Sequence, residues 1–201
     1  MRQYMGGFPM AGMRRAAAII LVLASLPVAA AAQEPRLATG YWTRGLAAGW
    51  GNAWKHGLPG YGKTDTDIEF VAFHPQLGRF ITDHLEFYGE GTLLLYHKPA
   101  VAVGGGVAGL GGRYHLWNDR GWTPYFVGGA GLLWTSLDVR EIDRVFNFQL
   151  LYGVGIRQVT RRGPGLILEF RNHHISNANT AGENLGVNAA TVVAGVQWIL
   201  R

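Results

Sequence analysis

From Tyr41 onward, apolar residues alternate with polar or small ones at every second position, which is the period of a β-strand and not of a helix. The pattern is plainest from Phe146 to Thr160. There Phe146, Phe148, Leu150, Tyr152, Val154 and Ile156 share one face, and Asn147, Gln149, Gly153, Gly155 and Arg157 share the other. Nearer the C-terminus Val192, Ala194, Val196, Trp198 and Leu200 oppose Thr191, Gly195 and Gln197, and before them Leu166, Leu168 and Phe170 oppose Glu169 and Arg171. Eight stretches of this kind are predicted, separated by turn-forming residues. They run Tyr41 to Gly51, Asp67 to Pro75, Leu85 to Tyr96, Val101 to Leu116, Trp122 to Ser136, Phe146 to Thr160, Leu166 to Asn177 and Asn188 to Leu200.

The connections alternate in length. Tight ones, Asn118 to Gly121 and Arg161 to Gly165, follow the fourth and sixth stretches, whereas long ones follow the first, fifth and seventh: Asn52 to Thr66, Leu137 to Val145 and Ala178 to Val187. Short turns at one end and long loops at the other, with an even number of strands, are the habit of outer-membrane barrels. The fold class expected is therefore all-β, an eight-stranded antiparallel transmembrane β-barrel of the outer membrane over residues 33–201, with apolar faces towards lipid and polar ones inside. A soluble barrel or sandwich would also alternate, but it would normally carry more charge on its outer face. Trp117 and Trp122 bracket one tight turn, where an interfacial aromatic girdle belongs.

Composition sharpens this picture. Charged residues make up 15% of the chain, so a lipid-facing wall accounts for their scarcity better than a hydrated one. The 30 glycines argue against helix, and in a barrel this narrow they relieve crowding of the interior. No cysteine is present, which excludes disulfides, thiolate metal sites and cysteine nucleophiles. Arg14 and Arg15 precede the apolar run Ala16 to Val28 and the small residues Ala29 to Ala32, so residues 1–32 read as a secretory signal peptide. The net charge of +5 is largely that segment: without Arg2, Arg14 and Arg15 the remainder has 15 basic and 13 acidic residues, a net of +2. No basic stripe remains that would suggest nucleic acid.

Most titratable residues read as structural. His74, His97 and His115 fall near strand ends without metal-ligand spacing, as luminal or interfacial groups. Glu86 and Glu90, with Glu69 and Asp83, are expected to form a luminal network with Arg113 and Arg157, since charges in a closed barrel need partners. The seventh stretch departs from this. Its outward row Leu166, Leu168, Phe170 continues into Asn172, His174 and Ser176, while His173 points inward. Alternate residues on a strand face lie about 6.6 Å apart, within reach for an imidazole to bond a hydroxyl and activate it. After residue 32 the serines are Ser136 and Ser176, which narrows the choice of nucleophile. If the first strand rises from the periplasm, His174 and Ser176 lie at the external end, beside Asn188 on the outward row of the eighth. Taken alone, a bare His-x-Ser reads more readily as a pair of ordinary rim residues beside a polar loop.

The local sequence adds specificity. His174, Ile175, Ser176, Asn177 and Ala178, followed by Asn184, Leu185, Gly186, Val187 and Asn188, resemble the outer-membrane lipid A 3-O-deacylase family, the PagL-like acyloxyacyl hydrolases. The motif spans Phe170 to Asn188, and the leader, length and eight-strand layout agree over the rest. The resemblance implies an outer-membrane serine esterase of a Gram-negative bacterium that removes the ester-linked 3-hydroxyacyl chain at position 3 of lipid A in the outer leaflet. It implies Ser176 as nucleophile, His174 as general base and Asn177 as an oxyanion donor, with no metal and no cofactor. Two positions depart from the family pattern: Asn188 stands where the triad acid is expected, and Asn179 where glycine is frequent. Glu183 is a second candidate for the acid, if its loop folds back. The partners implied are lipid A or lipopolysaccharide within the outer membrane, and a second copy of the chain in a homodimer is a further candidate. The competing reading is a non-catalytic eight-stranded outer-membrane protein, an adhesin or envelope stabiliser.

Overall fold

The structure, a computed structural model, describes residues 37–54, 64–160, 162–180 and 182–201. The signal peptide expected over residues 1–32 lies outside the described residues. Among the described residues eight strands form one closed antiparallel barrel: β1 (Trp42–Ala53), β2 (Glu69–Phe80), β3 (Leu85–Lys98), β4 (Ala102–His115), β5 (Trp122–Thr135), β6 (Phe146–Gln158), β7 (Pro164–Ser176) and β8 (Val187–Leu200). Each pairs with its neighbours in sequence, and β1 closes on β8 from Trp42↔Leu200 to Ala53↔Ala189. No sheet edge is left to pair with another chain.

Side-chain alternation decides the two surfaces. Outward-facing Phe73, Leu77, Val103, Phe126, Val154, Leu168 and Phe170 are exposed, an inversion of the soluble pattern and the mark of a wall solvated by hydrocarbon. Aromatic and cationic residues belt the short-turn end. Arg79 lies over the Trp42 ring (5.4 Å), Arg44 over Trp198 (5.7 Å) and Arg120 over Trp117 (4.4 Å). Such pairs let the guanidinium stay in the headgroup layer while the ring sits at its boundary.

The interior is filled in layers. Near the loop end Ile68, Phe70, Leu94, Tyr96, Leu133, Ile175 and Val187 form an apolar plug with Leu137 and Ile142 of the β5–β6 loop. Below it lies a buried charge network. Glu86 receives Arg157 Nη2 (2.7 Å), Arg113 and Thr43; Glu90 receives both Arg171 Nη atoms (2.8 and 3.0 Å) and Gln76. Glu169 accepts from Arg113 Nε (3.1 Å) and Tyr125 Oη (2.6 Å) and also meets Arg171. Three arginines are thus matched by three carboxylates, which keeps charge tolerable away from water. Gly111 and Gly155 make room for this layer. A Cβ at either would come within 2.7 and 2.6 Å of the Tyr88 and Tyr125 rings.

Two acids expected in the lumen are elsewhere. Glu69 is the first residue of β2 and faces outward, bonded to Trp50 Nε1 (2.9 Å), His97 (3.1 Å) and Lys98 (2.8 Å). Asp83 lies in the β2–β3 turn and accepts from the Thr39 N–H and hydroxyl, both at 2.9 Å. Strand β2 also runs past Pro75, where the sequence suggests an end, to Phe80. Pro75 keeps its place opposite Leu46 of β1, and the missing Cβ of Gly91 on β3 leaves space for its ring.

Candidate active site

The seventh and eighth strands bring the candidate residues together at the loop end of the outer wall. His174 and Asn188 are direct partners in the β7–β8 ladder, and His174 Nδ1–H donates to Asn188 Oδ1 at 2.9 Å. That bond leaves Nε2 with its lone pair, the form a general base needs. Ser176 is the last residue of β7, one step further along the same face and opposite Phe148 of β6. His174 and Ser176 are both half-buried, whereas Asn188 is fully buried. Ser136, the other serine of the barrel, is engaged at the start of the β5–β6 loop, where it accepts from the Val103 N–H (3.0 Å) and bonds the Val103 carbonyl.

Three loops brace this pair. Asn188 donates its backbone N–H to Thr64 Oγ1 (2.8 Å), and its carbonyl accepts from the Trp54 N–H (2.8 Å), both from the β1–β2 loop. Glu141 of the β5–β6 loop is buried, accepts from the Thr66 N–H and hydroxyl (2.7 and 2.8 Å), and offers its backbone carbonyl to the Gly186 N–H (2.9 Å). Gly186 itself touches the site. Its φ is +75°, and a Cβ there would come within 2.8 Å of His174 Cε1. A side chain at this position would be strained by the backbone and would push the imidazole.

The segment after the serine is a compact turn built by asparagines. Asn177 is 0% exposed; its N–H donates to Asn184 Oδ1 (2.9 Å), its Nδ2 to the Glu183 carbonyl (3.0 Å), and its Oδ1 accepts from the Asn179 N–H (2.9 Å). Asn184 Nδ2 closes the ring of bonds on Asn179 Oδ1 (3.1 Å). Within it Ala178 and Asn179 both occupy the left-handed region, at φ of +52° and +58°. Two successive non-glycine residues there cost conformational energy, and such strain gathers at working sites. Asn179 therefore takes a conformation that glycine adopts freely. Glu183 is not drawn towards His174. It is exposed and receives Arg140 Nε at 2.7 Å, and that hydrogen bond, with the carboxylate's charge behind it, pushes the Arg140 pKa up.

The geometry thus unites His174, Ser176 and Asn188, seats Asn177 inside the adjoining turn, and leaves Glu183 outside. Gly186, Asn184, Thr64 and Glu141 were not singled out by the residue pattern. The first two lie inside the motif that carries the family resemblance, while Thr64 and Glu141 reach the site only through loop folding.

Comparison with known proteins bears on the whole chain. Among solved structures it is similar to Neisserial surface protein A, with a TM-score of 0.55 and 18% identity over 79% of this chain and 96% of that one. It is similar also to the outer membrane enzyme PagL, with a TM-score of 0.54 and 16% identity over 75% of this chain and 97% of that one. At such identities the likeness is one of fold. No curated protein matches the chain in sequence. The family model described as lipid A 3-O-deacylase (PagL) matches residues 34–197. With its apolar wall and closed sheet the protein is an outer-membrane β-barrel, and with a match running from Glu34 to Gln197 it belongs to the lipid A 3-O-deacylase (PagL) family.

Proposed function

We propose that the protein is a serine esterase that hydrolyses the ester-linked 3-hydroxyacyl chain at position 3 of lipid A, working at the outer leaflet with its long loops outside the cell. The observation that carries this reading is the His174 Nδ1–Asn188 Oδ1 bond, set on the lipid-facing wall one residue pair below Ser176. Polar groups on such a wall are expensive, and a histidine oriented by a partner beside a serine repays that cost as a base.

In this mechanism His174 Nε2 takes the Ser176 hydroxyl proton as Oγ attacks the ester carbonyl. Asn177, whose N–H and Nδ2 are engaged by Asn184 and the Glu183 carbonyl, holds the turn after Ser176, and it is from this turn that the oxyanion is stabilised. Collapse of the tetrahedral species breaks the bond to the sugar oxygen, which leaves with the proton from His174. Water, deprotonated by His174, then attacks the acyl-serine and releases the fatty acid. Asn188 orients the imidazole through its carbonyl but brings no negative charge to the imidazolium, so the triad works at reduced electrostatic strength. Glu183, paired with Arg140, has no part in the chemistry.

Mass spectrometry of lipid A from cells expressing the protein tests the proposal. Expression removes one ester-linked acyl chain, and Ser176→Ala and His174→Ala proteins that still show heat-modifiable migration do not. The amide at position 188 favours one competing reading, a barrel of this family that has lost catalysis. Unchanged lipid A with folded wild-type protein would establish it.

A further inference from the structure

Carboxylate, ammonium and guanidinium side chains turn outward from the strands in two places among the described residues. At the loop end Glu69 and Lys98 neutralise each other at 2.8 Å. At the short-turn end Arg44 of β1 and Arg79 of β2 are both exposed, and among the described residues neither makes an ion pair or a hydrogen bond. Asp83, in the adjoining β2–β3 turn, is taken up by the Thr39 N–H and hydroxyl. A guanidinium that faces lipid without an anion is expensive, and the cost rises with depth.

The two guanidinia are held in place. Trp42 is the ladder partner of Arg79 and Trp198 of β8 that of Arg44, and each arginine lies over the ring opposite it. Both therefore lean the same way round the barrel and keep the diagonal spacing of their strands, about 7–8 Å. Arg44 stands one outward step beyond Trp42. At a strand tilt of about 40° that step lifts it about 5 Å from the tryptophan level towards the bilayer core. Leu77 lies opposite Arg44 and Leu46 one step further along its row, each 56% exposed.

We propose that Arg44 and Arg79 bind one anionic glycerophospholipid of the periplasmic leaflet, its phosphate diester set between the two guanidinia and an acyl chain laid over Leu46 and Leu77. Guanidinium N–H groups fork onto phosphate oxygens at about 2.8 Å. The two free oxygens of a diester let one phosphate engage both arginines, and their spacing leaves room for one. A single phosphate charge against two guanidinia leaves the site positive, so it selects a headgroup without an ammonium of its own. An ethanolamine headgroup would bring a third cation to the same place. The short turns put this site in the leaflet opposite to that of His174 and Ser176, so it stands or falls independently of the esterase reading.

Native mass spectrometry of the full barrel tests this, after release from nanodiscs of equal phosphatidylglycerol and phosphatidylethanolamine with identical acyl chains. Wild type is expected to retain one phosphatidylglycerol, at least about tenfold in preference to phosphatidylethanolamine. Joint Arg44→Gln and Arg79→Gln substitution should bring that ratio close to one. Each single variant should lower it partly, which keeps the test open if the double variant loses heat-modifiable migration. Arg120→Gln, which removes an exposed guanidinium at the β4–β5 turn, should leave the ratio unchanged. Excess inorganic phosphate should not displace the lipid, because it has no chain to lie over Leu46 and Leu77. No preference in wild type, a preference kept by the folded variants, an equal loss in Arg120→Gln, or displacement by inorganic phosphate overturns the proposal.

Discussion

His174 and Asn188 face each other across the β7–β8 ladder, their side chains 2.9 Å apart, with an amide where the resemblance calls for a carboxylate. The charge missing from this pair can be restored without altering its shape. Asn188→Asp places an anion against Nδ1–H, which stabilises the imidazolium formed during proton transfer. The plateau rate should rise about tenfold or more, and the acidic limb of the kcat/KM profile should move to higher pH, because the charged base now persists further up the scale. Asn188→Ala removes the orienting acceptor and should lower kcat by about 100-fold or more. pH–rate profiles of the three proteins check both outcomes.

Gly186 stands against the His174 imidazole. Gly186→Ala adds a Cβ 2.8 Å from His174 Cε1 at a φ of +75°. A displaced base of this kind costs about 100-fold in kcat. The barrel should remain folded, as heat-modifiable migration will report, because the change lies at a loop and not in the ladder.

Glu183 offers the opposite expectation. Its carboxylate is exposed and bound to Arg140, a pairing that contributes little in water. Glu183→Gln should leave activity within about twofold of wild type. A loss comparable to that of Ser176→Ala would instead make it the triad acid, and lipid A profiles of the variant decide this directly.

Inside the barrel, Arg171 serves Glu90 and Glu169 at once. Arg171→Met strands two buried carboxylates and should destabilise the fold by about 3–5 kcal/mol. Urea unfolding in lipid vesicles, followed by tryptophan fluorescence, measures it. Glu69→Gln, on the outward side of β2, should cost under about 1 kcal/mol in the same assay.

The barrel is legible in the chain because its period is two and its faces differ so strongly in polarity: Phe146 to Ile156 assigns wall and lumen residue by residue. His173 inward and His174 outward follow from the same count, as does the row that ends in Ser176. Pro75 hides the continuation of β2, since the space that admits it is supplied by Gly91 on another strand. Glu69 falls at a strand end, where a single residue of offset separates lumen from rim. The Thr64 and Glu141 braces were beyond reach for a different reason: loop contacts across 124 and 75 positions leave no periodic trace. Nor does composition show that Asn177 turns into its loop, because an asparagine suits a cap, a turn and an oxyanion donor alike.

Among the described residues the lumen is filled by Phe70, Leu94 and Ile175 above and by three ion-paired arginines beneath, so the proposed working surface is the outside of the cylinder. On the proposed reading, one side of the reaction chamber would then be made of neighbouring lipids and not of protein. Turnover would depend on how readily those lipids shift sideways, and a stiffened leaflet, tightly cross-bridged by divalent cations, would slow a catalyst whose own residues had not changed at all.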